Sequence, residues 1–391
     1  MTAPAHPGPV WRTWTGAHPA PVHAVVALDT DADIAAAVAE ATAAGRRVRA
    51  VGNGYSWVRA VPDDALVIRQ TTTAASRVEI DTARQRAWVP AGMTILQAAS
   101  TLFAEGWELP NLGGFAGQTI AGAVSTATHG TGIGLPALSA AVTAVRLVDG
   151  RGDVVELSGG LELQAAQVAL GQLGVIVGAQ FALHPATWLC RTEQTVGRLD
   201  PAWLLADDGV RRDARWFPAA EHFVVREWTR AARGAEGAVP AHVALAHAGA
   251  TAPEPFDVAE HILPAEATAR AVSAVEAALS RAGAGPTMPL ALRVVAADDA
   301  FLSPFHDGAK LALSVAATGD GDPALFGLVH DVLVTYGARP HWAKTHRHTA
   351  AELHATYAHL PRFERVRRHF DPDGTFMHPE YQTILRAQGT R

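Results

Sequence analysis

Cysteine is almost absent from this chain, and so are long apolar segments. Cys190 is the only cysteine among 391 residues, which excludes a disulfide within the chain and favours a reducing compartment such as the cytoplasm. The alanine-rich run Ala35–Ala44 is interrupted by charge and is too short to cross a bilayer. The segment from Met1 to Pro9 has neither a basic part nor an apolar core, so we predict no signal peptide.

An excess of positive charge is lacking as well. Charged residues make up 18% of the chain and the formal net charge is −6, so neither nucleic acid nor an anionic membrane is an expected partner. The hydrophobic share of 49% is that of a globular protein. The length suits two domains rather than one core.

Recognised metal and acyl-transfer motifs are also missing. The H-E-x-x-H and paired-cysteine patterns are absent, so we predict no metal site. Neither Ser56 nor Ser125 lies in a G-x-S-x-G turn, so we predict no acyl-transfer triad. The histidines of the C-terminal third, which we interpret as scattered surface residues, are His341, His346, His348, His354, His359, His369 and His378.

The most informative segment is rich in glycine. Residues 113–132 hold six glycines, several small hydroxyl residues and one ionisable side chain, His129. Glycine allows close approach of the backbone and positive φ, and the hydroxyls of Ser125, Thr128 and Thr131 can hold phosphate oxygens without a lysine. The segment predicts a cradle for a large ligand, although a glycine-rich turn between two strands has the same composition.

A second glycine turn, Gly52–Trp57, follows the predicted strand Val48–Val51. It lacks the third glycine of the G-x-G-x-x-G fingerprint because Trp57 stands there, and no acidic residue follows at the expected strand end. We therefore predict that the chain has no Rossmann domain. A glycine turn with a serine hydroxyl still suits a pyrophosphate.

Periodicity along the chain predicts an α+β fold. A strand at 22–28 precedes a helix that is capped within 29–31 and ends at 44. The residue pattern changes near residue 187, where we predict that a second α+β domain begins. Residues 1–10 and 232–255 are predicted to be irregular. The other predicted strands are 66–68, 78–80, 87–89, 142–147, 153–157, 175–183, 223–228, 290–295 and 311–314, and the other predicted helices are 94–104, 163–170 and 264–282.

Segments spread along the chain together resemble one family, the vanillyl-alcohol-oxidase-type flavoproteins, in the branch of sugar-1,4-lactone oxidases and alditol oxidases. Gly52–Trp57 resembles the first FAD loop of that family, and 113–132 resembles the second, with its Q-T-I-A-G and T-H-G-T-G pieces. Gly171–Ile176 is similar to the loop that packs on the adenosine. Arg339–Lys344 and Phe370–Phe376 are similar to the C-terminal end.

The resemblance implies a two-lobed protein with a PCMH-type FAD-binding domain and a separate α+β substrate or cap domain. The FAD-binding domain would span 10–186, the cap domain 187–335, and a C-terminal segment, 336–391, would return to the FAD-binding domain. A substrate C–H bond would give its hydride to flavin N5, and nearby cations would stabilise the negative charge. The implied cofactor contacts are Val51, Gly52, Asn53, Gly54, Tyr55, Ser56, Trp57, Gly113, Gly114, Gln118, Thr119, Ala121, Gly122, Ser125, Thr128, His129, Gly130, Gly174, Val175, Ile176, His341 and Lys344.

The first departure from the family lies in the first glycine loop. Many relatives attach FAD covalently through a histidine in a G-x-G-H-S sequence, and here Tyr55 stands at that position. A tyrosine cannot form the usual histidyl bond. We therefore predict that FAD is bound non-covalently.

The second departure concerns the substrate. The family's active-site strand reads Glu-x-Arg, with both side chains on one face, whereas here Ala291 replaces the acid and Arg293 remains. Lys344 is retained, and the strand around Ala312 has no histidine where alditol oxidases carry one. The resemblance implies Arg293 and Lys344 as charge-stabilising catalytic residues, and Gly114, Ala291, Arg293, Ala312 and Lys344 as substrate contacts. It identifies no base; an ordinary ion-pair role for Arg293 and an exposed structural lysine at Lys344 are the alternatives.

These features predict an FAD-dependent oxidase that acts on a CH–OH group of a sugar-derived or secondary-metabolite substrate. The family's small residue that admits dioxygen matches Gly113 or Gly114, which favours dioxygen as acceptor and hydrogen peroxide as product. Two alternatives stay open. One is amine oxidation or oxidative cyclisation, which Ala291 would suit, and the other is a flavin-binding protein without turnover. We expect a small-molecule substrate and a monomer or homodimer.

Overall fold

Helix starts in this chain coincide with hydroxyl side chains that cap them. Thr30 accepts a hydrogen bond from the first turn of its helix, and Thr94 and Gln97 form a reciprocal capping box, as do Thr349 and Glu352. Such caps satisfy backbone N–H groups that have no partner within the helix. They are local, which is why the helix starts near residues 31 and 94 agree with the prediction.

The structure, a computed structural model, describes residues 8–73, 76–245, 255–283, 285–319 and 321–386. The strands in these ranges are β1 (Val10–Trp11), β2 (Ala20–Pro21), β3 (Ala24–Leu28), β4 (Val48–Val51), β5 (Leu66–Gln70), β6 (Glu79–Asp81), β7 (Arg86–Pro90), β8 (Trp107–Glu108), β9 (Val142–Val148), β10 (Val154–Leu157), β11 (Val175–Ala182), β12 (His184–Pro185), β13 (Trp188–Val196), β14 (Arg211–Phe217), β15 (His222–Ala231), β16 (Val239–Pro240), β17 (Phe256–Pro264), β18 (Leu290–Val295), β19 (Lys310–Thr318) and β20 (Arg339–Pro340). The helices there are α1 (Asp31–Ala43), α2 (Ile95–Ala104), α3 (Ile120–Ser125), α4 (Gly160–Ala166), α5 (Pro201–Leu204), α6 (Ala241–Leu245), α7 (Thr268–Ala282), α8 (Pro323–Leu333), α9 (Ala350–Thr356), α10 (Leu360–Phe370) and α11 (Pro379–Arg386).

Two sheets make up most of the first half of the chain. A parallel sheet has the strand order β3-β5-β4, and an antiparallel sheet has the order β10-β9-β11-β7-β6. Helix α1 buries Ile34 and Val38 in a core with Val48 of the parallel sheet and Val175 of the antiparallel sheet. The first glycine loop follows β4 of the parallel sheet, and the second follows β8, which pairs with β12 in a separate two-stranded sheet.

The second large unit is an eight-stranded sheet with the order β16-β13-β15-β14-β18-β19-β17-β20. Side chains alternate between its two faces. Leu290, Leu292 and Leu313 belong to a buried core on one face, where helices α7 and α8 contribute Val275 and Val329. The opposite face carries polar and charged residues and is turned toward the glycine loops.

The C-terminal helices join the core of the first half of the chain. Phe363 and Phe370 of α10 and Tyr381 of α11 are buried in the same cluster as Ile95 of α2 and Ile120 of α3, the helix within the second glycine loop. Residues distant in sequence therefore share one core, which a local pattern cannot indicate.

Some predicted boundaries were wrong. The helix predicted at 163–170 is α4, which begins three residues earlier and ends at Ala166. The helix predicted at 264–282 begins at Thr268, because residues up to Pro264 form β17 and a 3-10 turn follows. The segment predicted to be irregular, 232–255, contains β16 and α6, while 246–254 lie outside the described residues. Of the predicted N-terminal tail, 1–7 lie outside them too.

The surface interpretation of the C-terminal histidines was also wrong for several of them. His341, His348 and His378 are only 4%, 8% and 6% exposed. His346 and His348 pack with His261 and His330 in a cluster of rings whose nearest centroids are 4.7–5.9 Å apart. Both ring nitrogens of His261 lack a hydrogen-bond partner. These histidines are buried because the C-terminal part of the chain folds back onto the core and covers them.

None of the helices formed by the described residues combines the length and the apolar character that a membrane crossing requires.

Candidate active site

The two glycine loops face each other across a cavity of about 1150 Å³. At their closest approach, a Cβ on Gly52 would collide with the side chain of Thr119, so only glycine fits there. Asn53 donates a 2.7 Å hydrogen bond to the backbone carbonyl of Gly117 and so ties the first loop to the second. The backbone of the two loops therefore forms two sides of the cavity.

Two further glycines hold this arrangement in place. A Cβ on Gly130 would overlap Asn111 and the backbone carbonyl of Leu112, and one on Gly174 would overlap the carbonyl of Val148. Gly174 also has φ of +155°, which a residue with a side chain rarely adopts. These close approaches suit a large ligand that contacts the backbone, as the phosphates of a dinucleotide do.

A second cavity of about 1280 Å³ continues from the first. Tyr55, Gln118 and Ala343 line both cavities, so one ligand can extend from one into the other. The second cavity lies against the polar face of the eight-stranded sheet, which contributes Arg215 and Arg293. Such an elongated space fits FAD, with its phosphates in the first cavity and its ring system at the second.

The structure brings most of the predicted site residues to these two cavities. Those at the first cavity are Val51, Gly52, Asn53, Gly54, Tyr55, Ser56, Gln118, Thr119, Ala121, Gly122, Ser125, Gly174 and Ile176. Those at the second are Tyr55, Trp57, Gly113, Gly114, Gln118, Thr128, His129, Gly130, Arg293, His341 and Lys344.

Three predicted contacts line neither cavity. Val175 packs into the core with α1 instead, because alternation along β11 turns Ile176 toward the cavity. Ala312 is 1% exposed, and Ala291 is also absent from the lining of both cavities. Because the side chains at these two positions are small, longer neighbouring side chains form the wall of the second cavity.

Lys344 is held beneath the first glycine loop. Its Nζ lies 3.8 Å from the centre of the Trp57 ring, and the Trp57 backbone N–H donates a 2.8 Å hydrogen bond to the carbonyl of Ala343. Burial lowers the pKa of Lys344 to about 8, although the nearby Glu260 carboxylate opposes the shift. Lys344 is partly buried and lines the second cavity, so it is not the exposed lysine that the sequence left open.

Glu260 is the functional candidate that the sequence analysis missed. It is 4% exposed and lines the second cavity. Its Oε1 accepts a 2.8 Å hydrogen bond from Ser314, which lies directly opposite on β19, and Ser314 in turn lies opposite Ala291 on β18. The pocket therefore contains a carboxylate, two strands away from the position where the family has one.

The positions of the hydrogens on the His129 ring relate this residue to Glu260. His129 Nδ1 lies 2.9 Å from the Gly130 carbonyl, which can only accept, so Nδ1 carries a hydrogen. Nε2 then faces Glu260 Oε1 at 3.4 Å, and one proton must lie between the two atoms. Burial favours the neutral carboxyl, but the positive charge and hydrogen bond of His129 outweigh it and hold the pKa of Glu260 well below its usual range. The Glu260 carboxyl is therefore ionised, with His129 Nε2 beside its Oε1.

His129, Glu260 and His341 also form a cluster whose possible ligand atoms lie within 4.8 Å of one another. His341 Nδ1 accepts a hydrogen bond from the backbone N–H of Ala343, which places the hydrogen on Nε2. Burial lowers the pKa of His341 to about 3, so the ring is neutral at physiological pH. With Nε2 protonated, His341 has no lone pair left for a metal, and the cluster fits a hydrogen-bonding role.

The two glycines at the start of the second loop differ in their surroundings. A Cβ on Gly113 would come within 2.8 Å of Thr128 Cγ2 and 3.3 Å of the His129 carbonyl oxygen, so this glycine is required for packing. A Cβ on Gly114 would meet only Arg293 Nη2, at an ordinary 3.5 Å. Gly114 therefore faces the second cavity, and Gly113 is constrained by its own loop.

Comparison with known proteins agrees with this geometry. The family model of an FAD binding domain matches residues 22–158, and the family model of D-arabinono-1,4-lactone oxidase matches residues 205–384. The relatives found include sugar lactone oxidases and an alditol oxidase, so the chain is similar to that branch of the vanillyl-alcohol-oxidase-type flavoproteins. The α+β fold with a PCMH-type FAD-binding domain, the enzyme class and the use of FAD are thereby confirmed.

Individual members of this oxidase family match along nearly the whole chain. An L-gulono-1,4-lactone dehydrogenase of Mycobacterium tuberculosis is 28% identical over 96% of this chain and 99% of its own length. An alditol oxidase of a Streptomyces species is 26% identical over 93% of this chain and 95% of its own. A solvent-stable cholesterol oxidase has the same fold, with a TM-score of 0.75 at 16% identity over 96% of this chain and 97% of its own.

One signal for Glu260 was present in the sequence. The stretch Phe256–Pro264 carries a single glutamate among Val258, Ala259, Ile262 and Leu263, and a charge within an apolar run of strand length is buried only where it has a partner or a function. The prediction contained no strand there, so the signal had no structural context.

Proposed function

We propose that this protein oxidises a CH–OH group of a sugar-derived or secondary-metabolite substrate and passes the electrons to dioxygen. The observation that carries the proposal is the grouping of Arg293, Lys344 and Glu260 around the second cavity, next to Tyr55 and Gln118, where it continues into the first. FAD, when bound, supplies the hydride acceptor.

The two cations would stabilise negative charge during the reaction. Lys344, with a pKa of about 8, is mostly protonated at neutral pH. Within the described ranges of the chain, Arg293 makes no hydrogen bond or ion pair, so its guanidinium is available to a ligand. Preorganised cations in a buried site lower the energy of a transition state in which charge develops.

Glu260 would accept the hydroxyl proton of the substrate. Its Oε1 is occupied by Ser314 and His129, and within the described ranges no hydrogen bond reaches Oε2. A carboxylate that is ionised at neutral pH and open on one oxygen can accept a proton, and its lowered pKa makes it a weaker base than a group that titrates near neutral pH. This role fills the gap that the alanine at position 291 leaves.

The proposed division of the chain follows the cores. The cluster that buries Ile120 together with Phe363 supports a FAD-binding unit formed by 10–186 and 336–391. The separate cluster around the eight-stranded sheet supports a cap formed by 187–335. We also propose that the protein is located in the cytoplasm and that it is a monomer or a homodimer.

Non-covalent FAD is proposed from Tyr55. Its ring packs at 4.4 Å against Phe115 and at 5.9 Å against Trp14, which fixes an aromatic surface where the family's histidyl bond would form. Acid precipitation of the yellow protein should leave all of the flavin in the supernatant. Flavin that stays on the polypeptide would contradict the proposal.

Anaerobic mixing with a substrate panel tests the activity. Polyols, sugar lactones and other secondary alcohols should bleach the flavin absorbance, and re-admitted air should restore it with formation of hydrogen peroxide. Bleaching by amines alone would indicate the amine-oxidation alternative. A flavin that no compound reduces would indicate a binding protein without turnover.

A further inference from the structure

The second cavity is strongly positive, although the whole chain has a net charge of −6. Among the residues that the structure describes, two acids line it, Asp213 and Glu260. The cations that line it are Arg191, Arg215, Arg226, Arg293 and Lys344. A cavity lined by one sign of charge concentrates ligands of the opposite sign.

The arginines differ in how they are paired. Arg226 forms a buried pair with Asp213, with hydrogen bonds of 2.7 and 2.5 Å, and Arg191 lies 3.5 Å from Glu193 on its own strand. Arg215 makes no hydrogen bond or ion pair with any residue that the structure describes. Asp213, the acid on the same strand face, is already used by Arg226.

The register of the sheet explains why Arg215 has no partner. The residue directly opposite it on β18 is Ala291, whose methyl group cannot pair with a guanidinium. Burial, and then the charge of Arg226, lower the pKa of Arg215 from its ordinary value. A half-buried arginine without a direct ion-pair partner carries a desolvation cost, and a bidentate carboxylate or phosphate relieves that cost.

We propose that the substrate of this enzyme is an anion, a hydroxylated molecule with a carboxylate or phosphate group that Arg215 binds. The proposal rests on the oxidation proposed above, because the hydroxyl-bearing carbon must lie at the Arg293, Lys344 and Glu260 end of the cavity. Arg215, Ala291, Ser314 and Glu260 lie in one row across four neighbouring strands. Neighbouring strands are about 4.8 Å apart, so the backbones at the two ends of the row are roughly 14 Å apart. A chain of several carbons with a hydrogen bond at each end spans that length.

Three compounds with the same carbon skeleton test the proposal on the FAD-loaded enzyme: D-gluconate, D-glucitol 6-phosphate and the neutral D-glucitol. Binding is measured under anaerobic conditions by calorimetry and by perturbation of the flavin spectrum, which require no turnover. At least one of the two anions should bind at least tenfold more tightly than glucitol, and added salt should weaken it. Preference for gluconate identifies the carboxylate, and preference for the ester identifies the phosphate.

Two variants remove the anion site by independent routes. Arg215→Gln deletes the cation, and Ala291→Glu keeps the cation but places a carboxylate directly opposite it. Both should weaken binding of the preferred anion at least tenfold, and Arg215→Gln should leave glucitol binding unchanged, while Arg215→Lys should restore part of the affinity. Arg281→Gln is the matched control, because it removes one positive charge from an exposed position at the end of α7, outside the cavity.

The outcomes separate this proposal from the oxidation itself. An anion that binds through Arg215 but never reduces the flavin would support the anion site and contradict the oxidation of that compound. Reduction by glucitol with equal or better affinity than both anions would support the oxidation and overturn the anion site. Anions that fail to bind at tens of millimolar, or that bind equally well to Arg215→Gln, would also overturn it.

Discussion

Ser314 Oγ donates a 2.8 Å hydrogen bond to Glu260 Oε1 across the neighbouring strands β19 and β17. This contact orients a buried carboxylate toward the cavity that Arg293 and Lys344 also line. The acid in this pocket therefore comes from a strand that no motif indicated, and a hydroxyl in the row between it and Ala291 holds it in place.

Glu260→Gln should lower the rate of flavin reduction by about a hundredfold or more, because a positioned general base contributes at least that factor. The amide keeps the size of the side chain and its hydrogen bond with Ser314, so substrate affinity should change little. Anaerobic stopped-flow measurement of flavin reduction separates the two quantities. A variant with an unchanged rate would rule out Glu260 as the base.

Ser314→Ala is the control for position rather than chemistry. It leaves the carboxylate intact and removes only the contact that orients it, so the loss in rate should be smaller than that of Glu260→Gln. An equal or larger loss would mean that the serine itself has the essential role.

The pH dependence of flavin reduction should report Lys344. Its pKa is about 8, so the ammonium is present below that pH and is lost as the pH rises through it. The apparent second-order rate constant should therefore fall on the alkaline side of pH 8. Lys344→Arg keeps its positive charge in this pH range, so the decrease of the rate constant above pH 8 should be weaker in this variant. An unchanged decrease would show that another group causes it.

Gly52→Ala should abolish FAD retention, because the added methyl collides with Thr119 at the closest approach of the two loops. The ratio of flavin to protein after purification measures the loss, and circular dichroism shows whether the fold is kept. Gly178→Ala on β11 is a matched control, since the new Cβ would meet Trp88 at an ordinary 3.6 Å. Full flavin content in Gly52→Ala would mean that the first cavity is not the FAD site.

Gly114→Val should slow the reoxidation of reduced flavin by air. The position faces the second cavity with only Arg293 nearby, whereas Gly113 is closed in by Thr128 and the His129 carbonyl. Gly113→Ala is therefore expected to disturb the loop itself. Reoxidation rates from stopped-flow mixing with aerated buffer decide the point, and an unchanged rate in Gly114→Val with normal flavin reduction would refute the oxygen gate.

The histidine cluster should make the folded protein sensitive to mild acid. Burial lowers the pKa of His261 to about 3 and the pKa values of His346 and His348 to about 4, so all three are neutral when folded. The unfolded chain takes up protons below the ordinary value of 6.5, so stability is full above pH 6.5 and falls between there and pH 4, by at most about 1.4 kcal/mol per histidine and pH unit. Asp298, with a pKa raised to about 6, acts in the opposite direction as a single group.

Thermal unfolding of the FAD-loaded protein between pH 7.5 and 5 measures this effect. His261→Leu should make the midpoint less dependent on pH, and it removes no hydrogen bond because neither ring nitrogen has one. A variant with the same pH slope as the native protein would show that the cluster does not cause the acid sensitivity.

Local patterns in the sequence were sufficient for the cofactor. The residues between Gly52 and Trp57, and those between Gly113 and Gly132, would contact the cofactor mainly through backbone, and backbone that must come close requires glycine at particular positions. Those glycines are visible in the sequence. The capped helix starts after Thr30 and Thr94 are visible for the same reason, because a cap depends on residues three positions apart.

The substrate end of the site depends on strand order instead. Glu260, Ser314 and Arg215 are separated by many residues, and they share a face only because β14, β18, β19 and β17 are neighbours in that order. Strand order and register follow from long-range packing, which the period of a single strand does not contain. For that reason the alanine at position 291 left the sequence without a candidate base, whereas the folded chain places the Glu260 carboxylate in the second cavity.

By itself, the sequence determined that this chain is an FAD enzyme similar to lactone and alditol oxidases, since the short segments Gly52–Trp57, 113–132 and Arg339–Lys344 carry that information locally. Only the tertiary structure decided which charges meet in the second cavity. It paired Arg226 with Asp213, placed Ala291 opposite Arg215 and brought Glu260 to His129. The physical reason is that charges buried a few ångströms apart control ionisation and binding, and those distances exist only once the sheet has formed.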